Sequence, residues 1–114
     1  MRENDLLGRT FDFGVRTLKY MRKLPTSTEY QIIKHQLGKS ATSIGANYEE
    51  AQAGSSKADF KNKVRISLKE ARESNYWLRV LKALETQSNE ELDSLIKEST
   101  ELKNILASII NKLN

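Results

Sequence analysis

Five basic side chains, Lys61, Arg65, Lys69, Arg72 and Arg79, recur at steps of three, four and seven residues through a segment whose apolar residues repeat at helical spacing. On a helix that turns about 100° per residue they fall on one flank. Asp59, Glu70 and Glu73 fall on the other flank or at the back. A helix face stabilised by its own ion pairs would interleave the two signs at i and i+4. Sorted signs suit an external anion better. The seven-residue step of Arg65, Arg72 and Arg79 sets guanidiniums about 10 Å apart along one line, a spacing that can follow a phosphate backbone without presenting a recognition helix to base edges. The competing reading is an ordinary solvated face.

Other chemistries have little to build on. The single histidine, His35, has Ile32 three residues before it, so the Glu-x-x-His pairs of a carboxylate-bridged metal bundle cannot be assembled. Glu49, Glu50, Glu70 and Glu73 could gather across two helices, but neighbouring basic side chains and solvent account for them. With no cysteine and one histidine, nucleophilic triads, thiolate metal sites and disulfides have no basis. Gly38 and Gly45 stand seven residues apart outside any phosphate-loop pattern, so their expected role is to admit a close helix neighbour. No catalytic residue, metal or cofactor is expected.

The elements that must position the basic row follow from apolar periodicity. A chain of 114 residues fits one domain, residues 1–114. Four helical runs are separated by short breaks. The first, from about Asn4 to Arg22, carries the stripe Leu7, Phe11, Val15, Leu18 and Met21 and ends before Pro25. A second apolar row, Leu6, Phe13 and Tyr20, repeats every seven residues on nearly the opposite side, bordered by Arg9, Arg16 and Lys23 at the same step. One helix cannot bury both rows in one bundle. With the first stripe in the core, the second row is either two aromatics and a leucine left half-exposed, as small proteins commonly allow, or a subunit interface with a basic rim.

The second run opens with a capping-box pattern, Thr26-Ser27-Thr28-Glu29, and continues to about Gln52, with Tyr30, Ile33, Leu37, Ala41, Ile44, Tyr48 and Ala51 inward. The third, capped by Ser56, reaches about Glu85 and turns Phe60, Val64, Leu68, Ala71 and Leu78 inward. Its end is two-sided, with Trp77, Val80 and Leu84 off the core face as further interface candidates. The fourth opens at a capping box led by Ser88, Ser88-Asn89-Glu90-Glu91, and carries Leu92, Leu95, Ser99, Leu102, Leu106, Ile109 and Leu113 at heptad spacing, with Ile96, Ile105 and Ile110 widening the stripe. The expectation is an all-α, antiparallel up-down-up-down four-helix bundle. Residues 1–87 hold 16 basic and 10 acidic side chains, whereas residues 88–114 hold 3 and 5, so the fourth run is the acidic one. No run is long and apolar enough to span a membrane and no secretory leader is evident, so a cytoplasmic protein is expected.

Three strings carry a resemblance. LPTSTEY at Leu24 to Tyr30, the pattern T-S-I-x-A-N-x-x-E-A at Thr42 to Ala51, and K-x-x-F-x-x-K followed by K-E-A-x-E-x-x-Y-W-L at Lys69 to Leu78 resemble the small four-helix-bundle family named after reading frames in intervening sequences of bacterial 23S rRNA genes. That family is related to the accessory variability protein of diversity-generating retroelements. The resemblance implies a homo-oligomeric ring, with five subunits expected, and a positively charged surface. In the retroelement branch it also implies binding to nucleic acid, RNA or DNA, and to a reverse transcriptase. It supplies no catalytic residues.

The candidate nucleic-acid-binding residues are therefore Arg9, Arg16, Lys61, Arg65, Lys69, Arg72 and Arg79, and the candidate oligomer interface is Leu6, Phe13, Tyr20, Trp77, Val80 and Leu84. The alternative function is an interaction or oligomerisation scaffold that binds no nucleic acid.

Overall fold

The computed structural model describes residues 3–114, and side chains from residue 5 onward. It consists of four helices, α1 (Glu3–Met21), α2 (Thr28–Gln52), α3 (Lys57–Leu84) and α4 (Glu90–Leu113), with no strand among the described residues. Two of the starts have a side-chain cap. Ser56 accepts a hydrogen bond from the Asp59 amide and opens α3. Asn89, rather than Ser88, accepts from the Leu92 amide and opens α4. At α2 the cap residue is Ser27, in extended conformation with no side-chain cap bond, so the expected capping box does not form there.

Side-chain pairs fix the direction of every neighbouring helix. Gly14 lies against Ala41 and Thr42, and Gly45 against Thr10, so α1 and α2 are antiparallel. Ser67 donates to the Ile44 carbonyl and Ser74 to Ser40, reversing α3 on α2. Asn75 meets Ser99 and Thr100 while Lys82 meets Asp93, reversing α4 on α3. Arg9 reaches Glu98 and Lys23 reaches Glu91, so α4 also runs antiparallel to α1. The bundle is up-down-up-down, 46 × 23 × 21 Å, with α1 and α3 on one diagonal.

The core agrees with the inward faces expected for α2, α3 and α4, except that Tyr30, Phe60, Ile109 and Leu113 near the helix ends are half-buried, and it corrects the face expected for α1. Leu6, Phe13 and Tyr20 are 2%, 0% and 2% exposed and belong to the core, so they cannot form a subunit interface. The stripe expected to be core is turned outward instead: Phe11 is 69% and Leu18 43% exposed, and Leu7 and Val15 are half-buried, while Met21 alone of that stripe is buried. The physical reason is Thr10 and Thr17. Both are buried, and with Leu6, Phe13, Tyr20 and Leu24 they complete a run of alternating four- and three-residue steps. The Thr10 hydroxyl donates to the Leu7 carbonyl, a bond made within its own helix that lets a polar residue type occupy a core position.

Two glycines set how closely α1 lies on α2. A Cβ on Gly45 would stand 3.2 Å from the Thr10 carbonyl carbon and oxygen, and one on Gly14 would stand 3.3 Å from the Ala41 oxygen. Both neighbours are backbone, which cannot swing aside. Gly38 meets the flexible end of Met21 at 3.3 Å, a softer contact.

Candidate nucleic-acid interface

The two helices that carry basic rows both turn them toward α4, one on each side of it, and their surroundings differ. On α1, Arg9 donates from Nε to Glu98 Oε2 at 2.9 Å and from Nη2 to Glu101 at 3.1 Å. Arg16 donates to Ser94 at 2.8 Å, and Lys23 pairs with Glu91 at 2.9 Å. The hydrogen bond to Glu98 is the main reason the Arg9 guanidinium holds its proton more tightly than usual, against the cost of its burial. Glu91, Glu98 and Glu101 of the acidic fourth run thus pair with α1 and the turn after it, while Asp93 pairs with Lys82 of α3. Arg9 and Arg16, expected to bind phosphate, are already partnered within the bundle.

On α3 the row is open. Arg65, Lys69, Arg72 and Arg79 are exposed, and among the described residues Arg65 and Arg72 form no hydrogen bond or ion pair. Lys61 is half-buried and donates to the Asn114 side chain. Arg79 is held in place: its Nε donates to Asn75 Oδ1 at 2.9 Å, and its Cζ stands 5.8 Å from the Tyr76 ring centre. Asn75 is itself buried, donating to Ser99 at 2.9 Å and Thr100 at 3.1 Å across the α3–α4 seam. The row therefore sits on a polar clamp between helices. Its pairings, Asn75 with Thr100 and Lys82 with Asp93, place the half-buried Lys103 level with Arg72, a cation the sequence reading did not include. The available signal was its position four residues after Ser99, on the same face of the heptad.

The opposite flank of α3 is acidic and drier. Glu70 has its carboxyl pushed above the ordinary range, first by burial and then by Glu73, with Lys69 and Lys39 pulling it back. Glu73 accepts from the Trp77 indole at 3.3 Å. Among the described residues no three His, Cys, Asp or Glu side chains converge as metal ligands, and no helix is long and apolar enough to cross a membrane.

The family model of the 23S rRNA-intervening sequence protein matches residues 2–108. The chain belongs to that family. Among solved structures, this family member is similar to a protein of unknown function from the S23 ribosomal protein family of Bacteroides thetaiotaomicron, with 38% identity and a TM-score of 0.83 over 92% of this chain and 97% of that one. No curated protein matches significantly. The family match agrees with the resemblance carried by Leu24–Tyr30, Thr42–Ala51 and Lys69–Leu78, and the solved relative has an all-helical fold of the same extent.

The remaining interface candidates divide. Trp77 and Val80 are half-buried and pack against the core, whereas Leu84 is exposed. A second apolar surface, which the reading of α1 had placed inside, lies between α1 and α2. It is an open groove of about 250 Å³ lined by Phe11, Val15, Leu18, Gly14, Gly45 and Ala46 among others.

Proposed function

We propose that this 23S rRNA-intervening sequence protein is a non-catalytic nucleic-acid-binding protein that holds the phosphate backbone along the α3 flank facing α4, with little sequence preference. The observation that carries the reading is the contrast in pairing between the two basic rows. Carboxylates of α4 pair with Arg9 and Lys23, and Ser94 of α4 accepts from Arg16, whereas Arg65, Lys69, Arg72 and Arg79 are left exposed. Polyanion binding by such a row is driven by counterion release and weakens with salt. For three phosphate contacts on duplex DNA, affinity is expected to fall about 40-fold between about 50 and about 200 mM salt. Measuring RNA and DNA affinity at those two concentrations tests it, and binding that is absent or insensitive to salt contradicts it.

The same reading makes the protein a homo-oligomer. It is supported by two separate apolar surfaces, Phe11 and Leu18 on α1 and Leu84 with Trp77 and Val80 on α3, carried by helices on opposite corners of the bundle. Two different patches that meet head to tail close a ring rather than a two-fold dimer. Replacing Phe11 and Leu18 together with Lys is expected to give a folded, smaller species in sedimentation. A wild-type protein that sediments as a monomer at micromolar concentration contradicts assembly. If the α3 row binds no polyanion, the same patches favour the second function, an interaction scaffold.

A further inference from the structure

Tyr76 is the aromatic side chain that stands within the open cation row. It follows Arg72 by four residues and precedes Arg79 by three, so it shares their flank of α3, and it is 49% exposed. Its ring is braced from two directions. The Trp77 ring meets it edge to face, with centroids 5.0 Å apart and planes at 78°. The Arg79 guanidinium lies 5.8 Å from its centre. Both braces are anchored in turn, Trp77 by packing on the core and by its bond to Glu73, Arg79 by the buried Asn75.

A tyrosine that only filled space would not need to be exposed, and one that served only solubility would not be held on two sides. From this geometry we infer that Tyr76 is a stacking platform for an unpaired base, and that the ligand of the α3 row is single-stranded RNA or DNA. The inference rests on the phosphate-binding reading given above. In a duplex the bases stack on one another and present no free face to a side chain on a phosphate-binding helix. In a single strand every base has a face to offer, and an aromatic ring set between phosphate-binding cations captures it whatever the sequence. Arg72 and Arg79 would hold phosphates about 10 Å apart on either side of the platform, and the cation already over the ring adds to its pull on a base.

The test compares a twelve-nucleotide oligo(dT) and oligo(U) with a duplex of the same length, by anisotropy, for wild type, Tyr76→Phe and Tyr76→Ala, with helicity checked by circular dichroism. Because Trp77 is the only tryptophan, its emission gives a second readout at the ring itself. Tyr76→Ala is expected to weaken single-strand binding at least about fivefold, to leave duplex binding unchanged and to abolish the change in Trp77 emission on binding. Tyr76→Phe should keep all three. If wild type binds both ligands but Tyr76→Ala weakens neither, or weakens both equally, the stacking inference falls and the phosphate reading stands. If wild type binds neither ligand, both fall.

Discussion

Helices α1 and α3 carry the same sequence device, three cations at seven-residue steps beside an apolar stripe, and the fold gives it opposite uses. Arg9, Arg16 and Lys23 close the α1–α4 seam onto Glu98, Glu101, Ser94 and Glu91. Arg65 and Arg72 face solvent, with Arg79 propped beside them by Asn75. The period of a charge row therefore says where its members point along one helix. Whether they are free is decided by the neighbour, here an α4 that turns Glu91, Ser94, Glu98 and Glu101 toward α1 and turns Ser99, Thr100 and Lys103 toward the α3 row, with its carboxylate bonded to α3, Asp93, taken by Lys82.

The largest test of that contrast disturbs the seat of α1. Gly45→Leu would drive a side chain into the Thr10 backbone, and overpacking of this kind costs about 1 to 3 kcal/mol, more than the roughly 1 kcal/mol that leucine gains in helix propensity. The melting temperature should fall, and an unchanged or raised one would mean α1 and α2 are not in close backbone contact. A smaller effect separates the rows directly. Arg9→Met leaves Glu98 without its closest partner and should cost about 1 kcal/mol, less at high salt, whereas Arg65→Met should stay within about 0.5 kcal/mol of wild type. Equal losses at the two positions would erase the distinction.

The smallest effect concerns the drier flank of α3. Glu70 is held above its ordinary carboxyl range in the folded protein, so its contribution favours folding when it is protonated and is lost as pH rises through the raised value. Glu70→Gln should therefore be more stable than wild type near neutral pH, and the difference should vanish below about pH 4. A difference that grows on acidification would reverse the sign and with it the account of that flank.

Three helices could be read from their apolar spacing, because Leu37, Ile44, Leu68, Leu78, Leu95 and Leu102 are both apolar and buried. The first could not, because its inward heptad contains Thr10 and Thr17 while its outward face carries an unbroken apolar stripe, Leu7, Phe11, Val15 and Leu18. Residue type and burial part company there, and the interface assigned to Leu6, Phe13 and Tyr20 moved with the error. At the site, the sorting of charge on α3 was legible since it lies within one helix. The capture of Arg9 by Glu98, 89 residues away, and the support of Arg79 by an Asn75 that reaches α4 are tertiary facts with no local signature. The glycine contact was legible in kind, since Gly45 interrupts a strongly helical run that had no turn to make there.

The central claim is that the α3 row, and not the α1 row, holds phosphate. The direct measurement is the slope of log affinity against log salt for a single-stranded oligonucleotide, taken for wild type, for Arg65, Arg72 and Arg79 changed together to Gln, and for Arg9 and Arg16 changed together to Gln. Each lost contact removes about 0.7 from the slope on a single strand, so the α3 variant should lose about two units per subunit engaged, while the α1 variant, if still folded, should keep the wild-type slope. A folded α3 variant that binds with wild-type affinity and slope, or an α1 variant that loses as much as the α3 one, would contradict the account.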